Sequence, residues 1–277
     1  MVSNVLRVIG DDRSSARDLA YFIGKDQAIT NKVLRLANSA YYGRLGKVDS
    51  ITRAISILGF NEVTSLTLGV GVFTALQQRA ASGLLNMRDL WLHSIGSSFA
   101  ARTIHDRTTR EKGRQVGLWP KRDMDESPVF LGGLLHDMGK VIFSIFFPDE
   151  YGVVLEEAKT SEAFFFQTEQ ELLGVDHCQM AGMLMRTWHF PDTIRTPVRH
   201  HHSVESCPDG FQKDAAIIEL ADNIVHRLRI GASGSCAVKN PRWGIRQLGF
   251  TGQDLVEIAQ EVQEQRSEVE RFLALME

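Results

Sequence analysis

At 277 residues, 43% hydrophobic and 23% charged, the chain is long enough to bury a substantial core and has an ordinary globular balance, which excludes a disordered or fibrous chain. Its net charge of −3 excludes a general electrostatic drive toward a nucleic-acid backbone, so such a partner would need a local patch around Arg44 and Lys47 or between Arg110 and Arg122. The three cysteines, Cys178, Cys207 and Cys236, form no CxxC pair, which argues against a zinc knuckle or a redox dithiol and for a reducing, cytoplasmic setting.

Apolar residues recur at three- and four-residue intervals without strand-like alternation, which predicts an all-α fold. Residues 1–12 meet charge at Arg7, Asp11 and Asp12 and lack the apolar core of an export signal. Ser14 and Ser15 are N-cap candidates for a helix with Leu19, Phe22 and Ile23 on one face, closed at Gly24. A second predicted helix, Ile29 to Asn38, runs into Ser39-Ala40-Tyr41-Tyr42-Gly43, read as a loop. Ser50 caps a third with Ile51, Ala54, Ile55 and Leu58 inward and Gly59 as a left-handed C-cap, and a fourth runs through Leu76. The longest uncharged stretch, Val63 to Gln78, holds threonines, a serine and glutamines and reads as a buried core helix, not a membrane span. A polar interval at Ala81 to Asn86 divides the chain into units 1–86 and 87–277.

The second unit is predicted to open with a helix from Met87 to Asp106, followed by a charged, exposed insertion from Arg107 to Ser127. Further helices are predicted at Pro128 to Phe147, Glu162 to Leu173, His177 to Trp188, Thr193 to His202, Asp214 to Arg229 and Gln253 to Leu275. The last carries Leu255, Ile258, Val262, Val269, Phe272 and Leu273 on one face, a pattern for packing on its own domain.

The densest chemical signal is Gly132-Gly133-Leu134-Leu135-His136-Asp137-Met138-Gly139-Lys140, a histidine beside an aspartate in an otherwise apolar helix. Helical neighbours point about 100° apart. The pair can therefore present an imidazole nitrogen and a carboxylate to a metal from one turn, with the carboxylate free to bridge two ions. Lys140, four residues beyond His136, is predicted on the same face, placed to hold a phosphate oxygen or protonate a leaving one. Gly132 and Gly133 remove bulk and let a helix or ligand approach.

Other histidines strengthen the pattern. His93 has Gly96, Ser97 and Ala100 on its side, His177 follows Gly174 and Asp176, and His200, His201 and His202 end a helix beside Ile194 and Val198. Asp222 sits among Ile218, Ala221 and Val225, where a buried carboxylate needs a partner. Imidazole and carboxylate ligands suit zinc, iron, manganese or nickel, and four helices are expected to converge on one or two divalent ions. Blander readings stay open for each residue: a core histidine for His93, helix capping or exposure for His177, and a cap or an arginine pair for Asp222. One member of the triplet must point away, and His200 is the one set aside. His105, His189 and His226 read as surface or packing residues, and Cys178 as a buried thiol, not a nucleophile.

In order, His93, His136-Asp137, His177, His201-His202 and Asp222 resemble the metal-ligand order of the HD superfamily of phosphohydrolases, which includes the HD-GYP branch. The surroundings look more specifically like the HDOD group: Leu36-Ala37-Asn38-Ser39-Ala40-Tyr41-Tyr42, Ile51 through Ala54-Ile55, Leu58-Gly59, and Trp188-His189-Phe190-Pro191 leading to His201-His202. The resemblance implies an N-terminal helical bundle packed on an HD-like helical core, working in bacterial signal transduction through a signalling protein partner or a phosphorylated small molecule or nucleotide. HDOD members commonly lack parts of the metal set, whereas this sequence offers every position and the lysine as well. It lacks a Gly-Tyr-Pro after the histidine pair, where Ser203 to Gly210 stand, which argues against a cyclic dinucleotide substrate. Two functions are therefore expected in turn: a regulatory module with a metal site and little or no catalysis, or a phosphohydrolase in which Asp137 and Lys140 are catalytic.

Overall fold

The computed structural model describes residues 2–9, 14–42, 47–77, 84–110, 128–160, 164–234 and 240–277, and among them there are helices and no strand. The first five helices are α1 (Val2–Ile9), α2 (Ala16–Gly24), α3 (Gln27–Ala37), α4 (Ile51–Leu58) and α5 (Phe60–Gln77). Next come α6 (Met87–Arg110), α7 (Val129–Leu135), α8 (Met138–Phe146), α9 (Pro148–Thr160), α10 (Phe165–Leu173) and α11 (His177–Thr187). The chain ends with α12 (Asp192–His200), α13 (Gln212–Arg227), α14 (Arg242–Leu248), α15 (Gly252–Glu264) and α16 (Arg266–Met276).

Several starts follow from local chemistry. Ser15 and Asp18 form a reciprocal capping box at α2, and Ser50 accepts from Arg53 N at 3.2 Å to start α4. Gly59 ends α4 with φ 91°, a conformation open to glycine. One apolar core extends from Val5 to Met276, so the N-terminal helices bury their faces together with the later ones. The α6 helix lies at its centre, packed against α7, α13, α15 and α16.

Three expectations need correction. The helix expected over Pro128 to Phe147 breaks at His136-Asp137, where Asp137 has φ −94° and ψ 7°. Aspartate and the nearby glycines hold a helix weakly, and the break lets the carboxylate turn toward its cationic partners. The C-terminal helix is two: Gln265, at φ −79° and ψ −2°, separates α15 from α16, so both halves lay their apolar faces on α6. The segment read as a loop after α3 forms a turn of 3₁₀ helix, Ala40–Tyr42, and Tyr42 is buried with its hydroxyl on Glu62.

Sequence reading passed over α1, α9 and α14. In α9, Tyr151, Val154 and Ala158 fill one buried stripe, a short helical period after the N-terminal Pro148. The insertion expected at 107–127 begins with α6 still helical to residue 110, and positions 111–127, like Arg44, lie outside the described residues. Among the described residues, one stretch has the length and apolarity of a membrane span, 129–146, and 89% of it is buried inside the fold.

Candidate metal centre

The centre sits where α6, α8, α11, α13 and the turn after α12 meet. Glycines permit the approach. A Cβ on Gly133 would stand 2.8 Å from the Ser97 carbonyl oxygen of α6, and one on Gly139 would collide with the His177 carbonyl. The α7–α8 break therefore lies directly against α6 on one side and the start of α11 on the other.

All seven expected ligand residues are brought together. His93 comes from α6, His136 and Asp137 from the break, His177 from the first position of α11, His201 and His202 from the turn after α12, and Asp222 from α13. Asp137 is at the middle. Its Oδ1 lies 3.4 Å from His177 Nε2, while Oδ2 lies 3.4 Å from His136 Nε2 and 3.9 Å from His93 Nε2. Asp222 Oδ1 is 2.9 Å from His93 Nε2 and 3.7 Å from His136 Nε2. The rings of His177 and His201 are 5.5 Å apart, and those of His201 and His202 4.1 Å. His93, His136, Asp137, His177 and His201 are buried, whereas Asp222 and His202 are partly exposed and mark the side open to solvent. His200 is set apart, with its Nδ1 3.4 Å from Ser203 Oγ.

Outer hydrogen bonds turn the rings inward. His136 Nδ1 donates to the Gly133 carbonyl and His201 Nδ1 to the Val198 carbonyl, both at 2.7 Å, which leaves each Nε2 facing the cluster. His177 Nδ1 bonds Glu169, which also accepts from the His177 backbone N–H at 2.9 Å and from Tyr151 Oη at 3.0 Å. The Nε2 atoms of His136 and His177 are buried with no hydrogen-bond partner. Buried polar atoms rarely stay unsatisfied, and two imidazole nitrogens left open beside a carboxylate fit a metal ion.

Charge in the cluster is set by burial and by the two carboxylates. Burial works against ionised Asp137, yet His136 and Lys140 outweigh it and hold this carboxyl well below the usual range. Asp222 is likewise held well below the usual range, against burial, by the His136 and His93 imidazoles beside it. Burial disfavours the His136 cation, but Asp137 and Asp222 overcome it and lift the imidazole to about 10. His201 is pushed down to about 3 by burial and by its histidine neighbours, and His202 falls well below its ordinary value for the same reasons, so both offer lone pairs at neutral pH.

Lys140 reaches the centre beside His136: its ammonium donates to Asp137 Oδ2 at 3.0 Å, the oxygen that also lies 3.4 Å from His136 Nε2, and to the Ser233 carbonyl at 3.1 Å, and it is 1% exposed. Glu169 and Tyr151 were not found by sequence reading. A usable signal existed: Glu169 is one turn after Phe165 on the buried face of α10, where a carboxylate needs a partner. Cys178, set aside as a buried thiol, is buried, and its Sγ lies 3.9 Å from His201 Nε2. His226, expected to be peripheral, is half-buried with its ring 6.5 Å from that of His93.

The family model for the HDOD domain matches residues 1–204. This chain belongs to the HDOD family. The matched span of this HDOD protein includes every residue of the cluster except Asp222. An HDOD domain protein of unknown function from Geobacter sulfurreducens is 26% identical, with a TM-score of 0.75 over 99% of this chain and 91% of its own. A candidate signal transduction protein from Marinobacter aquaeolei has a TM-score of 0.75 at 20% identity, over 99% of this chain and 58% of its own. A candidate metal-dependent phosphohydrolase from Shewanella amazonensis has a TM-score of 0.59 at 18% identity, over 96% of this chain and 90% of its own. These last two show a likeness of fold. An uncharacterized protein of Treponema pallidum (strain Nichols) is 21% identical over 225 residues, 81% of this chain, and the chain spans 40% of that relative's length.

Proposed function

We propose that this HDOD protein is a signalling module whose core holds one or two divalent ions and passes its loaded state to a partner, with little or no turnover. The supporting observation is Asp137, whose two oxygens face different histidines, His177 on one side and His136 with His93 on the other. On this reading His93, His136 and Asp222 would hold one ion and His177, His201 and His202 the other, with Asp137 lying between the two sets. Imidazole and carboxylate donors suit iron, manganese, zinc or nickel. The reading includes an N-terminal unit of residues 1–86, a core of residues 87–277 that carries the site, and a bacterial cytoplasmic setting. The partner is a signalling protein, or a phosphorylated small molecule or nucleotide. Low turnover is favoured because Lys140 is buried and already bonded to Asp137 and Ser233.

The second reading is an active phosphohydrolase, favoured by the full set of ligand positions. When bound, a divalent ion supplies Lewis acidity toward a phosphoryl oxygen. Lys140 would then donate to the departing oxygen, which requires its ammonium to give up Asp137.

The test is elemental analysis of protein purified without chelator, run beside the His136→Ala/Asp137→Ala variant. Near-stoichiometric metal that disappears in the variant supports the site, and protein that takes up no metal even after reconstitution overturns it. A phosphoester screen of the loaded protein against Asp137→Ala separates the two readings.

A further inference from the structure

Cys178 lies at the centre and is left unused by the ligand set above. It occupies the second position of α11, directly after His177, and together with His177, His201 and His202 offers four ligand atoms that all lie within 4.8 Å of one another. A tetrahedral zinc site with bonds of about 2.3 Å to sulfur and 2.0–2.1 Å to nitrogen has a sulfur–nitrogen edge of about 3.6 Å. The observed Cys178 Sγ to His201 Nε2 separation is 3.9 Å, so a shift of a few tenths of an ångström closes it.

The neighbouring rings are already aimed. His201 Nδ1 is committed to Val198 and His177 Nδ1 to Glu169, which leaves the two Nε2 atoms as the available donors. His177 Nε2 is fully buried and has no hydrogen-bond partner, the sign of a missing ligand independent of the thiol.

We propose that His177, Cys178, His201 and His202 form a thiolate-containing metal position that prefers zinc, beside a harder position at His93, His136 and Asp222. The proposal rests on the metal-binding reading above and deepens it. Sulfur with three imidazoles favours zinc, whereas the side that carries the Asp222 carboxylate and no sulfur is better suited to manganese or iron. On loading, the Cys178 thiol proton is released to solvent as the metal–sulfur bond forms.

The test is cobalt(II) titration of the full chain followed by absorption, with Cys178→Ser and Cys207→Ser beside the unaltered protein. Thiolate-to-cobalt charge transfer in the near ultraviolet is expected in the unaltered protein and in Cys207→Ser and is expected to vanish in Cys178→Ser. Zinc affinity of Cys178→Ser should fall by more than about tenfold, since loss of an outer-shell partner alone costs that much. Cobalt binding without the charge-transfer band, or a band that survives in Cys178→Ser, overturns the thiolate proposal and leaves the metal-binding reading intact. Failure to bind cobalt at all overturns both. X-ray absorption of the zinc-loaded unaltered protein needs no variant: a sulfur neighbour at about 2.3 Å is expected, and its absence overturns the proposal.

Discussion

Glu169 holds His177 by two atoms, since one carboxylate oxygen accepts from the backbone N–H at 2.9 Å and from the ring Nδ1 as well. The same carboxylate takes the Tyr151 hydroxyl at 3.0 Å, so the start of α11 is pinned to α10 and α9. Glu169→Gln keeps the shape and loses the charge that fixes the tautomer. Metal affinity should fall about 10–100-fold while the fold persists, read by competition with a chelating dye and by circular dichroism.

Asp137 and Lys140 are a buried pair, 2% and 1% exposed. Removing one partner of such a pair costs about 3–5 kcal/mol, whereas removing both can be close to neutral. In metal-free protein Asp137→Ala should therefore destabilise strongly, and Asp137→Ala/Lys140→Met should recover part of the loss in urea unfolding. Equal stability of the single and double variants would show that the pair is uncoupled.

In metal-free protein the histidines set opposite limits on pH. His136, raised from 6.5 to about 10 by Asp137 and Asp222 against the cost of burial, contributes its stability fully below pH 6.5 and loses it as pH rises toward 10. His201, lowered from 6.5 to about 3 by burial, contributes fully above pH 6.5 and loses it as pH falls toward 3. Urea midpoints in chelator should peak near the ordinary histidine value. Histidine→Gln at position 136 should flatten the alkaline limb and leave the acid limb.

Two glycines predict opposite signs. Gly139→Ala would drive its Cβ into the His177 backbone carbonyl, so the variant should lose several kcal/mol, as backbone clashes in cores do, together with the metal. Gly24 has nothing within 4 Å of a would-be Cβ and lies in the last turn of α2, so Gly24→Ala should gain about 0.4–1 kcal/mol. Thermal unfolding of both variants checks this.

Away from the centre, Glu62 on α5 pairs with Arg102 of α6 and accepts from Tyr42, while Arg102 donates to Tyr41 at 2.8 Å. This network ties the Ala40–Tyr42 turn to the central helix. Glu62→Ala should cost up to about 3–5 kcal/mol because it leaves a mostly buried guanidinium without its carboxylate. Tyr42→Phe should cost about 1–3 kcal/mol for one unsatisfied buried partner. Urea unfolding distinguishes the two magnitudes.

What the sequence by itself determined is whatever repeats within a few residues. The helical period marked most of the helices, Ser15 and Ser50 marked their starts, and the buried stripe of Ile258, Val262, Val269, Phe272 and Leu273 was legible before any coordinate. The clustered histidines and aspartates were legible by type and by resemblance, because such residues on apolar faces are costly without a purpose.

The tertiary structure alone decided the rest, since it depends on contacts between distant segments. Asp137 breaks its helix because the carboxylate is drawn to Lys140 and to rings from α6 and α11, and no local propensity records that pull. Glu169 and Cys178 gain meaning only when α10, α11 and the turn after α12 meet, for the distance from Cys178 to His201 spans 23 positions of chain and 3.9 Å of space. Helix periodicity reports which face is buried. Which atoms that face then meets is settled by how the helices pack.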